Sequence, residues 1–301
     1  MGFALYRLGS EGELFDISRK TPEKFFGASG LRLSRNYNKV TADPFLFSDS
    51  DRLYAFYEVC TDFGKGEIWA HSMGKDGNWV EHGQVLAEPF HLSFPCVFRG
   101  RDGAIYMLPE TASSGHAWLY VADEFPLKWR RLRVLLVKPL KDPAIIETAG
   151  GALLLGTNLN DQLECHASQG LHAEFDAIGQ RITDDKAVSR NAGAFFSVAG
   201  KCYRPAQYGV NFYGEKVGIM EVDLDGPAGY REHLVIADLF PSKPKWMALG
   251  CHHVSIAHFD GACFVVVDGR RHDSYVNTLL LAWFKLMETL RVGWVRVMAR
   301  V

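Results

Sequence analysis

The sequence predicts an all-β protein closed into a five-bladed β-propeller, and three observations carry that expectation. A hairpin-like unit recurs five times at intervals of about 50 residues, the spacing of a repeat fold. Each unit joins two short apolar, β-rich runs through a turn, and further β-rich runs follow, as a four-stranded blade requires. Each first run opens on a polar residue or an aromatic-proline step, and each second run closes on another polar group 14 to 16 residues later.

The first unit runs from Asp43-Pro44-Phe45-Leu46-Phe47 to Leu53-Tyr54-Ala55-Phe56-Tyr57-Glu58. Its outer strands are expected at Glu67 to His71 and near Trp79 to Glu81, with Asp76-Gly77 turning between them. The second runs from Phe94-Pro95-Cys96-Val97-Phe98 to Ile105-Tyr106-Met107-Leu108-Pro109-Glu110, followed by Ala117 to Val121 and by Trp129 to Val137. The third opens at Asp142-Pro143, turns at Gly150-Gly151 and returns to Thr157, with Leu163 to Ala167 outside it. The fourth goes from Asn191 over Phe195-Phe196, turns at Gly200 and ends at Gln207, with Val217 to Val222 and Tyr230 to Glu232 beyond. The fifth leaves His253, turns at Asp260-Gly261 and returns to Asp268, and Asn277 to Trp283 is expected to complete it.

Residues 1–35 form a lead-in whose strand signal at Phe3 to Tyr6 is expected to supply an outer strand to the last blade. Residues 36–285 are assigned to the propeller and 286–301 to a C-terminal closing segment. At 301 residues and 48% hydrophobic content the chain can bury a large core, and no linker composition divides it.

Thirty-three basic against 35 acidic side chains give a formal charge of −2, which argues against a nucleic-acid surface or a polybasic membrane anchor. No run approaches the roughly 20 apolar residues of a membrane span, so no membrane insertion is expected. Met1 to Leu14 has no signal-peptide pattern. The six cysteines are scattered with no C-x-x-C pair, which fits reduced thiols and a cytoplasmic setting.

In an antiparallel hairpin the start of the first strand and the end of the second lie at one end. Asp43 and Glu58, Asn191 and Gln207, and His253 and Asp268 should therefore be neighbours, ringing one mouth of the central channel as a binding site. Asp43 and Asp142 each precede a proline, which is expected to hold them extended. Such a carboxylate pair suits sugar chemistry, one acting as base or nucleophile and the other orienting the ring. Glu58 and Glu110 close very apolar runs, where burial raises a carboxyl pKa toward that of a general acid. Blade four offers Arg190, Asn191, Arg204 and Gln207, whose guanidinium forks suit phosphate or carboxylate. Blade five offers His252, His253, Asp268, Arg270 and Arg271. His253 is the candidate proton donor or ligand contact. His91 and Phe94 are expected to face the mouth, where aromatic faces stack on sugars. No third ligand stands at useful spacing for a zinc site, so no metal or other cofactor is expected.

The motifs Ala42-Asp43-Pro44-Phe45-Leu46, His91-Leu92-Ser93-Phe94-Pro95, Tyr106-Met107-Leu108-Pro109-Glu110, Phe125-Pro126-Leu127-Lys128-Trp129 and Tyr203-Arg204-Pro205-Ala206-Gln207 resemble those of a known group. It is the propeller-like N-terminal domain of glucosamine inositolphosphorylceramide transferases and of related bacterial proteins of surface-polysaccharide synthesis. That group is distantly similar to the five-bladed glycoside hydrolases of the arabinanase, xylosidase and fructosidase clans. The resemblance implies Asp43 as the blade-one base or nucleophile and Asp142 as the supporting acid of blade three. The clans' blade-four acid has no counterpart, because Asn191 or Gly193 stands there.

Two functions follow as expectations. In the first, the chain acts on a glycosidic bond or activated sugar, with Asp43, Glu110 and Asp142 catalytic. Glu58, His91, Arg190, Asn191, Arg204, Gln207, His253 and Asp268 then bind substrate. In the second, it is a non-catalytic module that binds a glycan or sugar phosphate and serves a partner glycosyltransferase.

Overall fold

The computed structural model of the chain describes residues 2–27, 40–60, 65–178, 182, 183, 185, 187–209, 211–224 and 230–270. Five antiparallel sheets follow one another as the repeat predicts, and the fold is a five-bladed β-propeller. The chain opens with β1 (Gly2–Leu8) and β2 (Lys24–Gly27), then builds blade one from β3 (Val40–Ser48), β4 (Arg52–Cys60), β5 (Gly66–Gly74) and β6 (Trp79–Leu86). Blade two comprises β7 (Ser93–Arg99), β8 (Ile105–Glu110), β9 (Ala117–Glu124) and β10 (Lys128–Leu136). Blade three comprises β11 (Lys141–Thr148), β12 (Gly151–Thr157), β13 (Leu163–Ser168) and the short β14 (Asp176–Ala177). In blade four the inner edge is split into β15 (Arg190–Asn191) and β16 (Phe196–Val198), both paired with β17 (Lys201–Tyr208), followed by β18 (Lys216–Asp223) and β19 (Arg231–Ile236).

Blade five is closed by both ends of the described chain. Its order is β20 (Val254–Phe259), β21 (Ala262–Gly269), β1, β2, with Gly2 to Leu8 paired antiparallel to Gly269 to Cys263. The outer positions expected for Asn277 to Trp283 are thus held by β1 and β2. Asn277 to Trp283 themselves, with Arg271 and the closing segment 286–301, lie outside the described residues.

Closure is driven by the spaces between blades, because each sheet has two apolar faces and neither is stable in water. Phe56, Ile68 and Met107 fill the space between blades one and two, and Leu108, Leu119 and Leu154 that between two and three. Leu155, Val222 and Tyr230 do so between three and four, Tyr6, Ile219 and Val265 between four and five, and Phe3, Tyr57 and Val266 between five and one. Each fully buried Leu, Ile or Phe contributes about 1.5–3 kcal/mol relative to leaving it exposed. Two polar links tie blade five to its neighbours at the channel: the Val254 N–H donates to Ala192 O at 2.7 Å, and the Leu46 N–H to Ser255 Oγ at 2.9 Å.

The inner strands of blades one to three share one irregularity. Ala42 faces Glu58 and Phe45 faces Phe56, so β3 carries one residue more than β4 over that step. The same bulge lies between Ser93 and Cys96 on β7 and between Lys141 and Ala144 on β11. At each bulge one residue has a positive φ: Asp43 at 51°, Phe94 at 49° and Asp142 at 45°. The extended conformation expected for Asp43 and Asp142 is therefore corrected. The inserted residue turns the strand out of its pleat and re-aims its side chain, and Asp tolerates left-handed φ better than most residues. The proline that follows has no N–H to leave orphaned at the break.

Candidate functional site

The bulges and the strand ends opposite them bring polar side chains from all five blades to one end of the channel. On the blade-three and blade-four side, Asp142 is the hub. Its Oδ2 accepts from Arg190 Nε at 2.6 Å and from Gln207 Nε2 at 3.0 Å, and its backbone N–H donates to Glu110 Oε2 at 2.9 Å. Asn191 donates through Nδ2 to the carbonyls of Asp142 at 2.7 Å and Leu155 at 3.3 Å. Gln207 also donates to Asn191 O at 3.0 Å, so the expected pairing of these two residues is present.

On the blade-five and blade-one side, His252 lies between two carboxylates. Its Nδ1 is 2.5 Å from Asp268 Oδ2 and its Nε2 is 3.3 Å from Asp43 Oδ1. Asp268 Oδ1 also accepts the backbone N–H groups of His252 and His253, at 2.9 and 3.0 Å. The second oxygen of Asp43 accepts the Phe94 N–H at 3.3 Å, tying the bulges of blades one and two.

Glu58, near the end of β4, meets the segment that leads into blade two. Its Oε1 accepts from the Cys60 thiol at 2.8 Å and lies 3.4 Å from His91 Nε2. The Gly66 N–H donates to His91 Nδ1 at 2.8 Å, so the ring proton sits on Nε2 and points toward Glu58. Glu58, Cys60 and His91 bring donor atoms within 4.8 Å of one another, as do Asp43, His252 and Asp268. His91, however, is set up as a hydrogen-bond donor through Nε2, and both nitrogens of His252 face carboxylates. With their histidine nitrogens engaged in this way, these groups do not fit a metal ion.

The carboxyls divide by environment. Burial works to raise Asp43, but hydrogen bonding and charge from His252, with His253 and Arg190, prevail and hold it down to about 2. Burial and the charge of Asp43 push Glu58 up to about 8, against the weaker lowering effects of the Cys60 hydrogen bond and the His252 charge. Burial and the charge of Asp142 raise Glu110 well above the ordinary carboxyl range, although Arg190 opposes them. Burial disfavours the charged form of His252, yet Asp268 and Asp43 raise it well above the usual histidine value. Burial and charge thus hold Asp43 toward its carboxylate and His252 toward its imidazolium, and Glu58 and Glu110 toward the protonated acid.

Three expected site residues are placed elsewhere. Arg204 does not line the mouth. Its side chain has no exposed surface, and it forks onto Glu232 at 2.7 Å through both Nε and Nη2, with Nη1 on Asn191 Oδ1 at 3.0 Å and Nη2 also on Val188 O at 3.0 Å. It braces Asn191 from behind. His253 is fully buried against Phe45 and Phe94, with ring centroids 4.5 and 5.3 Å away, and burial lowers its pKa. Phe94 is likewise buried in the core, so its ring is not at the mouth to stack on a ligand. Phe94 sits at the bulge of blade two, and its ring and that of His253 pack edge-on in the core.

Two residues outside the expected substrate-binding set also meet this cluster. His252, adjacent to the favoured His253, makes the ionic contacts. Tyr213, in the loop between β17 and β18, lays its half-exposed ring 4.8 Å from the Arg190 guanidinium and 5.3 Å from the His252 ring. Its signal was an aromatic pair, Phe212-Tyr213, in a loop outside the repeated register.

Comparison with known proteins adds a family. The model described as "Glucosamine inositolphosphorylceramide transferase 1, N-terminal" matches residues 29–270. The glucosamine inositolphosphorylceramide transferase 1 of Arabidopsis thaliana is 34% identical over 246 residues, covering 76% of this chain and 32% of its own. That of Oryza sativa subsp. indica is 31% identical over 257 residues, covering 80% and 34%. The chain therefore spans about a third of the length of the curated relatives it matches. Among solved structures, an α-L-arabinofuranosidase from Clostridium thermocellum superposes with a TM-score of 0.55 at 17% identity, covering 79% of this chain and 84% of its own. A glycoside hydrolase described as putative, from Bacteroides ovatus, gives 0.56 at 11%, covering 76% and 87%. At these identities the likeness is one of fold.

Proposed function

The chain belongs to the family of the glucosamine inositolphosphorylceramide transferase 1 N-terminal domain, and from that membership we propose that it is a carbohydrate-active propeller whose channel mouth acts on a glycosidic bond or activated sugar. The observation that carries this reading is the division of the carboxyls within one ring. Asp43 is held down toward its carboxylate form, while the partly exposed Glu110 is held up toward its protonated form. Glycosyl chemistry needs that pairing, a proton for the leaving oxygen and an electron pair for the anomeric carbon or for water. Glu110 then supplies the proton, Asp43 serves as base or nucleophile, and Asp142, fixed by Arg190 and Gln207, orients the sugar. The names of the relatives and of the structural neighbours support a sugar ligand.

The test is release or transfer of sugar from a panel of aryl glycosides and nucleotide sugars. Turnover of one class, lost by at least about 100-fold in both Asp43→Asn and Glu110→Gln, is the expected result. Turnover that survives both substitutions would exclude these roles.

A second reading is favoured by one specific observation. Blade four presents Asn191, whose amide is spent on two backbone carbonyls, and no acid. In this reading the propeller binds a glycan without cleaving it and serves a glycosyltransferase, consistent with relatives named as transferases of which it spans a third. Saturable sugar binding with no turnover across the panel identifies this case.

A further inference from the structure

One aromatic ring at the mouth is held in place and left half open. The Arg190 guanidinium sits over the ring of Tyr213, 4.8 Å from its centroid, and the His252 ring meets it at 66° with centroids 5.3 Å apart. Although it packs on both residues, Tyr213 remains 46% exposed, and the neighbouring Phe212 49%. Burial raises the pKa of its phenol, eased by the charges of His252 and Arg190 and reinforced by those of Asp142 and Asp43. The hydroxyl end therefore reaches in among the charged groups of the mouth. Among the described residues that hydroxyl has no hydrogen-bond partner.

The loop that carries the ring is fixed at several points. The Gly209 N–H donates to Ala187 O at 3.2 Å, and Asn211 donates to Glu215 through its backbone N–H at 3.0 Å and through Nδ2 at 2.9 Å. Arg270, just after β21, donates from Nη1 to the Tyr213 carbonyl at 3.3 Å. The segment that leads into blade five packs on the loop backbone so closely that a Cβ at Gly250 would lie 2.0 Å from Gly214 O. A ring fixed in this way loses little freedom on meeting a ligand, which favours binding. Tyrosine offers a wide apolar face and one polar tip. A sugar ring presents the complementary surface, with C–H groups gathered on a face and hydroxyls around the rim. The face leaves water against the aromatic ring, and the rim pairs with the polar groups beside it.

Resting on the carbohydrate reading above, we propose that Tyr213 is the stacking platform of the site. One face of the sugar lies on the exposed part of the ring, and its hydroxyls reach toward Asp43 and Asp142. Arg190 and His252, on which the platform rests, pair with Asp142 and Asp43, so the same contacts set the ring and the acids. The platform selects a closed sugar ring over an open-chain polyol, because only the ring gathers its C–H groups on one side.

Proton NMR titration with the methyl glycosides of glucose, galactose, xylose and arabinose tests this, with sorbitol as the open-chain control. For at least one glycoside, C–H protons of one face are expected to shift upfield on binding, as protons over an aromatic ring do. Sorbitol is expected to bind at least about 10-fold more weakly than that glycoside. Tyr213→Phe should keep the shift and weaken binding by no more than about 5-fold, the worth of one hydrogen bond. Tyr213→Ala should abolish the shift and weaken binding by at least about 10-fold. If Tyr213 only shielded Arg190, the alanine variant would bind more weakly but no sugar proton would shift in the wild-type protein. That outcome, equal binding of sorbitol, or an alanine variant within about 2-fold of wild type overturns the proposal while the carbohydrate reading stands. Absence of binding by every glycoside overturns the platform and counts against the carbohydrate reading as well.

Discussion

Nε2 of His252, at the entry to the last blade, stands 3.3 Å from Oδ1 of Asp43, at the entry to the first. The contact is a polar clasp between the last blade, which β1 completes by pairing with β21, and the first. Because Nδ1 of the same ring lies against Asp268, removing the imidazole leaves two buried carboxylates without their counter-charge. His252→Asn is expected to cost about 3–5 kcal/mol, as breaking a buried pair does. The sign with pH follows from both partners. The contribution of Asp43, whose pKa falls from 3.8 to about 2, is present above its unfolded value and lost as pH drops through the folded one. That of His252, raised from 6.5, is complete below its unfolded value and lost as pH rises through the folded one. Urea unfolding at pH 5.5 should show the full difference between variant and wild type, and unfolding near pH 2 a difference smaller by the share that Asp43 carries.

Glu58 carries the opposite sign. An acid raised from 4.5 to about 8 weighs against folding increasingly as pH rises between those values. Glu58→Gln keeps the shape and removes the ionisation, so the variant should match wild type near pH 4 and exceed it in Tm at pH 7.5, by at most about 4 kcal/mol of stability. Equal Tm values at both pH values would show that Glu58 ionises freely in the folded protein.

The architecture was legible because it rests on a period. Repeated runs and Gly turns specify hairpins, and the hairpin register alone places Asn191 beside Gln207 and His253 beside Asp268. The bulges were not legible. Asp43-Pro44 and Asp142-Pro143 read as extended steps, because proline restricts its predecessor locally, whereas the positive φ comes from one extra inner-strand residue seen only once the partner strand is placed. Adjacent residues of an extended segment point to opposite faces, and the local sequence does not say which of His252 and His253 meets the acids; the placement of Asp268 and Asp43 decides it for His252. Arg204 was misplaced for a different reason. Its partner Glu232 lies on the outermost strand of blade four, and nothing in the local sequence marks that pairing.

Two arginines of blade four should separate cleanly on substitution. Arg204 is wholly enclosed and doubly hydrogen bonded to Glu232, while Arg190 keeps a quarter of its side chain exposed at the mouth beneath Tyr213. Arg204→Met is expected to destabilise by about 3–5 kcal/mol, because Glu232 is left buried and unpaired. Arg190→Met should cost less in stability and more in ligand affinity. Denaturation midpoints and binding titrations on the two variants check this, and an Arg190 variant that binds every sugar like wild type would remove it from the site.

Gly66 offers a steric test of how the mouth is held open to His91. A Cβ at this position would lie 2.1 Å from the Leu92 carbonyl oxygen, 2.7 Å from Glu58 Oε1 and 2.8 Å from His91 Cε1. The nearest of these atoms is backbone, itself anchored where the Leu92 N–H donates to Gly66 O at 3.0 Å, so a rotamer change cannot make room. Gly66→Ala must push the 91–92 segment outward, which breaks the Gly66 to His91 hydrogen bond and draws the imidazole away from Glu58. The expected cost is about 1–3 kcal/mol, the range for overpacking. The clearer readout is the ring itself. In wild type the Gly66 N–H fixes the proton on Nε2, and nitrogen-detected NMR of His91 should show that single tautomer, with the alanine variant showing a mixture. The same tautomer ratio in both proteins would mean that the segment follows the substitution as a rigid unit, and that Gly66 does not position His91.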